Sequence, residues 1–327
     1  MSVANGKNGV RLLHTPQYHG YNVKFSPYDP NLLAVASGQN FGLSGNGCLF
    51  VFNLAAPDSG VLINLSWTDG LFDVTWSEET PNCLVTASGD TSLQLWDTTK
   101  PQSPTTVYKG HTKEVYTVEW NQMRGRPAFI SASWDASIKL WDPSQSSCVS
   151  SLNGHEALVY QASWSPHLPG CVASVAGDGK LKIWNAFRSR GASMTILAHE
   201  GEVLCCDWCK YNQNIVATAA TDGLLKGWDL RSTKTAAFVL QGHEYPIRRV
   251  KFSPFQETQL TTVSYDFTTR LWDHTAPSPC VQVHESHTEF VYGLDMSTHQ
   301  EGLIADCAWD QTVALYNNAL ITENSLS

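Results

Sequence analysis

The sequence of 327 residues is short of charge: only 16% is Asp, Glu, Lys or Arg, and 21 basic against 30 acidic residues leave a net −9. So few basic residues cannot easily make one face positive. This excludes a protein that holds a nucleic-acid backbone and makes a basic partner electrostatically easier. Long apolar runs are missing as well. No window approaches the roughly 18 apolar residues of a membrane helix, so direct membrane insertion is not expected, yet 42% of the chain is hydrophobic, too much for disorder. No stretch competes for the 3.6-residue period of an amphipathic helix. Cysteine is neither abundant nor even in number. The nine, at 48, 83, 148, 171, 205, 206, 209, 280 and 307, are scattered, which argues against a disulfide framework and for reduced thiols. The opening MSVANGKNGV has neither the basic nor the apolar region of a secretory leader, so an intracellular protein is expected. Phosphate loops, dinucleotide fingerprints and EF-hand phrases are absent, and no cofactor is expected.

What is present is a period. His111, His155, His199, His243 and His287 follow one another at 44 residues. A second series, Phe52, Trp96, Trp141, Trp184, Trp228, Trp272 and Tyr316, and a third, Asn46, Asp90, Asp135, Asp178, Asp222, Asp266 and Asp310, advance together by 44, 45, 43, 44, 44 and 44. Seven such units account for nearly the whole chain. Within each unit apolar residues alternate, as in Val115 to Trp120 and Ile138 to Trp141, between clusters of Gly, Pro, Asp and Ser. Four short strands in about 44 residues make one propeller blade. The seventh unit stops after Tyr316-Asn317, short of a fourth strand, while Gly9 to His14 reads as a strand ahead of unit one. An all-β, seven-bladed propeller is expected, with that N-terminal strand completing blade seven and removing the open edge. The whole of 1–327 reads as one domain with a flexible tail from about 318. Unit one departs from the pattern, with Pro16 at the His position and a loop from Gly38 to Gly47 in place of a tight turn.

His111, Ser131 and Asp135 resemble a nucleophilic triad. The same set, completed by Trp141, returns as 155/174/178/184, 199/218/222/228 and 243/262/266/272. A catalytic site needs one such constellation and a scaffold needs it in every blade, so no catalytic residue and no enzymatic activity are assigned. Cys205-Cys206-Asp207-Trp208-Cys209 contains a single C-x-x-C pair without the second pair of a zinc site, and no metal is assigned.

Function then lies where the units differ. Five residues after the His position stand Phe72, Tyr116, Tyr160, Leu204, Arg248 and Tyr292, with Tyr21 in unit one. Before the turn Asp, where Gly, Asn or Ser is ordinary, stand Trp134, Tyr265 and Trp309. Aromatics converging on one mouth are anchors for recognition, and Asp69, Glu114 and Glu202 add acidity. A groove for a peptide, apolar on one side and basic on another, is expected.

The dipeptides Trp96-Asp97, Trp141-Asp142, Trp228-Asp229 and Trp272-Asp273 within the period identify the chain as similar to the WD-repeat family. Phrases outside the general pattern narrow this: Asp69-Gly-Leu-Phe-Asp-Val-Thr-Trp76, Cys206-Asp-Trp-Cys-Lys-Tyr-Asn212, Ile247-Arg-Arg-Val-Lys-Phe-Ser-Pro-Phe255, Ser264-Tyr-Asp-Phe267, His287-Thr-Glu-Phe290 and Gln39-Asn-Phe-Gly42. They resemble the peroxin-7 family of import receptors for type-2 peroxisomal targeting signals. The resemblance implies a cytoplasmic receptor shuttling to the peroxisome, both membrane and matrix. Its partners would be signal-bearing matrix proteins, the docking complex, and a co-receptor, either the long form of the type-1 signal receptor or a dedicated fungal-type protein. The signal read by that family is a basic residue, an aliphatic residue, five variable residues, His or Gln, and an apolar residue. On this reading Asp69, Glu114 and Glu202 meet the basic side chain and the His. Phe72, Tyr116, Trp134, Tyr160, Tyr265, Tyr292 and Trp309 form the apolar floor, and Phe41, Arg248 and Arg249 are candidate co-receptor contacts. The rival reading, a substrate receptor of a cullin-type ubiquitin ligase or another basic-peptide adaptor, rests on the phrase Trp228-Asp-Leu-Arg231.

Overall fold

A computed structural model describes residues 9–56, 60–123, 125, 127–188 and 191–318, and within them the alternating runs form twenty-eight strands. These pair into seven four-stranded antiparallel sheets, six of them built from consecutive strands. The seventh takes Val291–Met296, Leu303–Ala308 and Thr312–Asn317 from the end of the chain and Arg11–His14 from its beginning. Arg11 lies opposite Leu315 and His14 opposite Thr312. The innermost strands of successive blades touch all the way round, and His19–Phe25 of blade one meets Val291–Met296 of blade seven to complete the circle. The fold is the expected seven-bladed propeller. Of the expected tail, Asn318 is packed, with its Oδ1 3.0 Å from His284 Nε2. The remainder lies outside the described residues. Among the described residues no helix is long and apolar enough to cross a membrane.

Each sheet is apolar on both faces and buries them against its neighbours. Val85, Ala87 and Leu93 of blade two, for example, share a core with Val115, Val118 and Phe129 of blade three. The innermost strands present one edge to the central channel, where unpaired N–H groups would be costly. Side chains of the preceding blade satisfy them. Val118 N donates to Asp73 Oδ2 at 3.0 Å, Trp164 N to Glu119 Oε2 at 2.9 Å, Phe252 N to Asp207 Oδ2 at 2.8 Å and Phe25 N to Asp295 Oδ2 at 2.9 Å. The carboxylates are balanced by Lys24, Lys251 and Arg249. Arg249 Nη2 is 3.3 Å from Asp73 Oδ1 across the channel.

The repeated His, Ser/Thr, Asp and Trp are joined as a bridge. In blade three His111 Nδ1 donates to Asp135 Oδ2 at 2.9 Å, Ser131 donates to His111 Nε2 at 2.6 Å, and the Trp141 indole donates to Ser131 at 2.8 Å. The same contacts recur around His155, His199 and His243. Burial pushes the His111 and His243 pKa values down, outweighing their Asp partners. Trp67 replaces the His of blade two and donates to Asp90 at 3.0 Å.

Blade seven solves the same problem with a different charge. Asp306 stands where blades two to six have Ser or Thr, and Tyr316 where they have Trp. His287 Nε2 donates to Asp306 at 2.8 Å and Nδ1 to Asp310 at 3.0 Å, while the Tyr316 hydroxyl donates to Asp306 at 2.5 Å. Both ring nitrogens donate, so this imidazole is a cation. Burial opposes its charge, but the Asp306 and Asp310 carboxylates outweigh it and raise His287 from 6.5 to about 10.

A raised folded-state pKa contributes stability that is complete below about pH 6.5 and is lost as pH climbs through about 10. Denaturant unfolding at stepped pH should show stability falling over that window, and Asp306→Asn should flatten this dependence. Asp306→Ala, which strips the buried imidazolium of one carboxylate, should cost about 3–5 kcal/mol. A pH profile identical in wild type and Asp306→Asn would refute the assignment.

Candidate functional site

At one end of the channel a single backbone device builds a mouth. Every innermost strand has a register shift against its neighbour, at Gly20/Asn22, Leu71/Asp73, Val115/Thr117, Val159/Gln161, Val203/Cys205, Ile247/Arg249 and Val291/Gly293. The extra residue of each bulge is Tyr21, Phe72, Tyr116, Tyr160, Leu204, Arg248 or Tyr292. A bulge re-aims the side chain it carries. Seven bulges at one level therefore place seven side chains in a ring, which is the position five residues after each His.

The rings form an open horseshoe. Tyr160 to Tyr116 is 5.8 Å between centroids, Tyr116 to Phe72 5.7 Å, Phe72 to Tyr21 4.9 Å and Tyr21 to Tyr292 5.1 Å. Leu204 and Arg248 interrupt it. A second tier rises from the turns. In six blades the N–H before the turn Asp donates to the carbonyl three residues after the His position, as in Trp134 N to Glu114 O and Trp309 N to Phe290 O at 3.1 and 3.0 Å. This bond seats Trp134 5.4 Å from Tyr116, Tyr265 5.3 Å from Tyr292, and Trp309 4.6 Å from Tyr292, stacked at 12°. Burial, with Tyr116 adding to it, raises the Tyr265 pKa to about 12 against Arg248 and the hydrogen bond with Tyr292.

Where the turn residue is glycine instead, a carboxylate takes the space. A Cβ on Gly89 would lie 3.1 Å from Asp69 Oδ1, and one on Gly177 would lie 3.6 Å from Glu202 Oε1. Glu202 accepts a hydrogen bond from the Tyr160 hydroxyl at 2.6 Å. Burial raises the Asp69 pKa, with Asp90 and Glu114 adding to it against the Gly70 N–H. The acids occupy blades two to five and the exposed aromatics the opposite arc.

Of the ten residues expected to hold a peptide, eight line one cavity of about 320 Å³: Phe72, Tyr116, Trp134, Tyr160, Glu202, Tyr265, Tyr292 and Trp309. Asp69 and Glu114 stand half-buried outside that lining. Of the three residues expected to touch a co-receptor, Phe41 is exposed at 44%, but Arg248 and Arg249 are 1% and 2% exposed. An innermost strand is enclosed on both faces, so Arg248 turns into the floor of the mouth and Arg249 into the channel. Tyr21, Leu204 and Thr221 also line the cavity, as do Phe41, Gly42 and Leu43 of the blade-one loop. The loop could be seen in the sequence as an insertion, but nothing there shows that it folds inward. The Tyr21 hydroxyl donates to Phe41 O at 2.7 Å and holds it there.

Cys205 and Cys209 pack in one core and Cys206 in another. Burial pushes the Cys205 thiol up to about 12. Arg231, the basis of the rival reading, is held by its own Asp229, with Nη2 to Oδ2 at 2.6 Å and Nε to Oδ1 at 2.9 Å.

A model described as WD domain, G-beta repeat matches residues 102–142, 146–185, 191–229 and 234–273. Four consecutive stretches of the chain thus match that repeat. It is also similar to curated proteins named Peroxisomal targeting signal 2 receptor. The mouse protein is 48% identical over 167 residues, 51% of this chain and 52% of the relative, and the human protein 48% identical over 165 residues, 50% and 51%. The protein of that name from Saccharomyces cerevisiae is 34% identical over 200 residues, 53% of each chain. The chain thus spans about half the length of the curated relatives it matches.

Gly42 has a φ of +65°, and a Cβ there would meet the Tyr21 hydroxyl and lie 2.8 Å from the Phe72 ring. Gly42→Ala should therefore lower stability by about 1–3 kcal/mol and loosen the 39–46 loop. Urea unfolding and limited proteolysis of that loop would check this, and an unchanged cleavage rate would show that Gly42 does not hold the loop over the mouth.

Proposed function

We propose that this WD-repeat propeller is an import receptor that binds the N-terminal type-2 peroxisomal targeting signal of matrix proteins across its aromatic mouth. The observation that carries the reading is the aromatic cavity, with Glu202 in its lining and Asp69 and Glu114 outside it, in a chain similar to proteins named for that function. A helix rises about 1.5 Å per residue, so the nine positions of the signal span roughly 12 Å with the key residues on one face. Such a helix lies across the mouth with its apolar side chains on Phe72, Tyr116, Trp134, Tyr160, Tyr265, Tyr292 and Trp309. Its basic residue meets Asp69, Glu114 and Glu202.

So short a helix covers little surface, and interfaces below about 1,200 Å² are weak or transient. A co-receptor closing over the bound helix supplies the rest. Phe41, with the 88% exposed Leu43 beside it, is the part of this surface left to such a partner. The chain acts by binding and carries its cargo from the cytoplasm to the docking complex at the peroxisome. In the ligase-adaptor reading Arg231 would have to be available, and it is bound to Asp229.

The test is fluorescence anisotropy of a labelled peptide bearing Arg-Leu-x5-His-Leu, with a scrambled peptide as control and cytosolic extract as a source of co-receptor. Sequence-specific binding is expected, and Glu114→Ala should weaken it by tenfold or more, about 1.4 kcal/mol. Equal binding of the scrambled peptide with and without extract would defeat the receptor reading. A Glu114→Ala affinity within about twofold of wild type would defeat the charge pairing alone.

A further inference from the structure

The mouth has an unusual imbalance of hydrogen-bonding groups. Its rim is rich in acceptors, the carboxylates, but its floor holds donors without partners. Arg248 is 1% exposed and lies where the aromatic horseshoe is open. Its guanidinium carbon stands 4.7 Å from the centroid of Tyr116 and 5.2 Å from that of Tyr292, so the side chain bridges the two arms. Among the described residues no carboxylate forms an ion pair with it. Its hydrogen bond is Nη1 to Leu204 O at 3.5 Å, the limit of a useful contact, and Nε has no hydrogen-bond partner. The buried indole nitrogens Trp134 Nε1 and Trp309 Nε1 also lack partners. All three side chains line the same cavity.

Most donors of the same kind are matched elsewhere in the fold. Arg249, one residue on, has the Asp73 carboxylate 3.3 Å away although its Nε also lacks a hydrogen bond, and the indoles of Trp96, Trp141, Trp184, Trp228 and Trp272 each donate to a Ser or Thr hydroxyl, with Trp120 an exception. Buried donors are normally matched, and a buried guanidinium keeps its charge at any ordinary pH. Two tyrosine faces offset part of its desolvation but accept none of its hydrogen bonds. The missing complement is an acceptor brought by the ligand. Its charge is constrained too: Asp69, Glu114 and Glu202 repel an anion on its way in, while an uncharged acceptor is free to pass them.

We propose that the floor of the mouth is an acceptor-reading subsite, in which Arg248, flanked by Trp134 and Trp309, takes an uncharged side-chain acceptor, an amide oxygen or a neutral imidazole nitrogen, from the bound peptide. This rests on the receptor reading above and adds a specificity-determining residue to it. The rim selects the peptide's cation and the floor selects its acceptor. A site built around a buried donor discriminates strongly against ligands that leave the donor unpaired.

The probe is the Arg-Leu-x5-His-Leu peptide, with its His replaced in turn by Gln, norleucine and Glu. Each is titrated by anisotropy against wild type and Arg248→Met, with thermal melts of both proteins. In wild type, Gln should bind like His, and norleucine and Glu at least tenfold more weakly. In Arg248→Met the advantage of Gln over norleucine should fall below about twofold. Norleucine equal to Gln in wild type, or the same Gln preference in both proteins, would overturn the subsite while leaving the receptor reading intact. Tighter binding of Glu would show an anion site instead. Should Arg248→Met fail to fold, the wild-type series alone decides. No binding by His and Gln peptides alike would overturn the receptor reading, and the subsite would fall with it.

Discussion

The mouth depends on one backbone irregularity repeated seven times. A strand that pairs residue for residue sends alternate side chains to its two faces, and in a propeller both faces belong to the core between blades. The bulge breaks that alternation once per innermost strand, at the same level in every blade. One residue per blade is released from the core and turned inward. What occupies those seven positions can change without disturbing the packing outside them. Five aromatics, a leucine and an arginine there leave the interblade cores untouched.

Polar chemistry is handled in two opposite ways in this molecule. The scaffold matches most of its polar groups within itself. In blades three to six the turn Asp accepts from its histidine and one hydroxyl is shared between imidazole and indole, and edge N–H groups of innermost strands reach carboxylates of the adjacent blade. Even blade seven, where Asp306 displaces the hydroxyl, keeps the network complete by changing the protonation of His287 rather than leaving an atom unmatched. The mouth leaves donors unmatched. Buried atoms without a partner occur elsewhere too, at Asn22, Thr117, Trp120, Arg249, Thr261 and Asn318, but the mouth gathers three such donors, from Trp134, Arg248 and Trp309, around one cavity, where another molecule can supply the difference.

Much of this was legible in the residues, because a period of 44 is written three times over in His, Trp and Asp. The blade count, the closure by Arg11–His14 and the ring at the fifth position all follow from it. The burial of Arg248 and Arg249 was not legible, because a charge in an alternating run ordinarily faces water. An innermost strand has no watery face, and the bulge sends two adjacent arginines to two different enclosed places. Asp73, Glu119, Asp207 and Asp295 carried no signal for the same reason: their role is to accept from a strand of the next blade, 45 residues on for the first three and 270 residues back for Asp295. The loop at Phe41 was visible as an irregularity, but its direction is set by a hydrogen bond from Tyr21 that no spacing encodes.

The antiparallel clasp between Arg11–His14 and Thr312–Leu315 also governs the timing of folding. Six blades are local in sequence and can form as their strands emerge. The seventh joins segments some 300 residues apart, and fixing two points so distant on a flexible chain costs on the order of 5 kcal/mol in entropy before any contact rewards it. Until then blade seven is a three-stranded sheet with an open edge, and the first strand has no partner. The ring therefore becomes a ring only once Thr312–Asn317 has been made, and a nascent chain halted one strand before that would hold a nearly complete mouth on a hoop that has not yet locked.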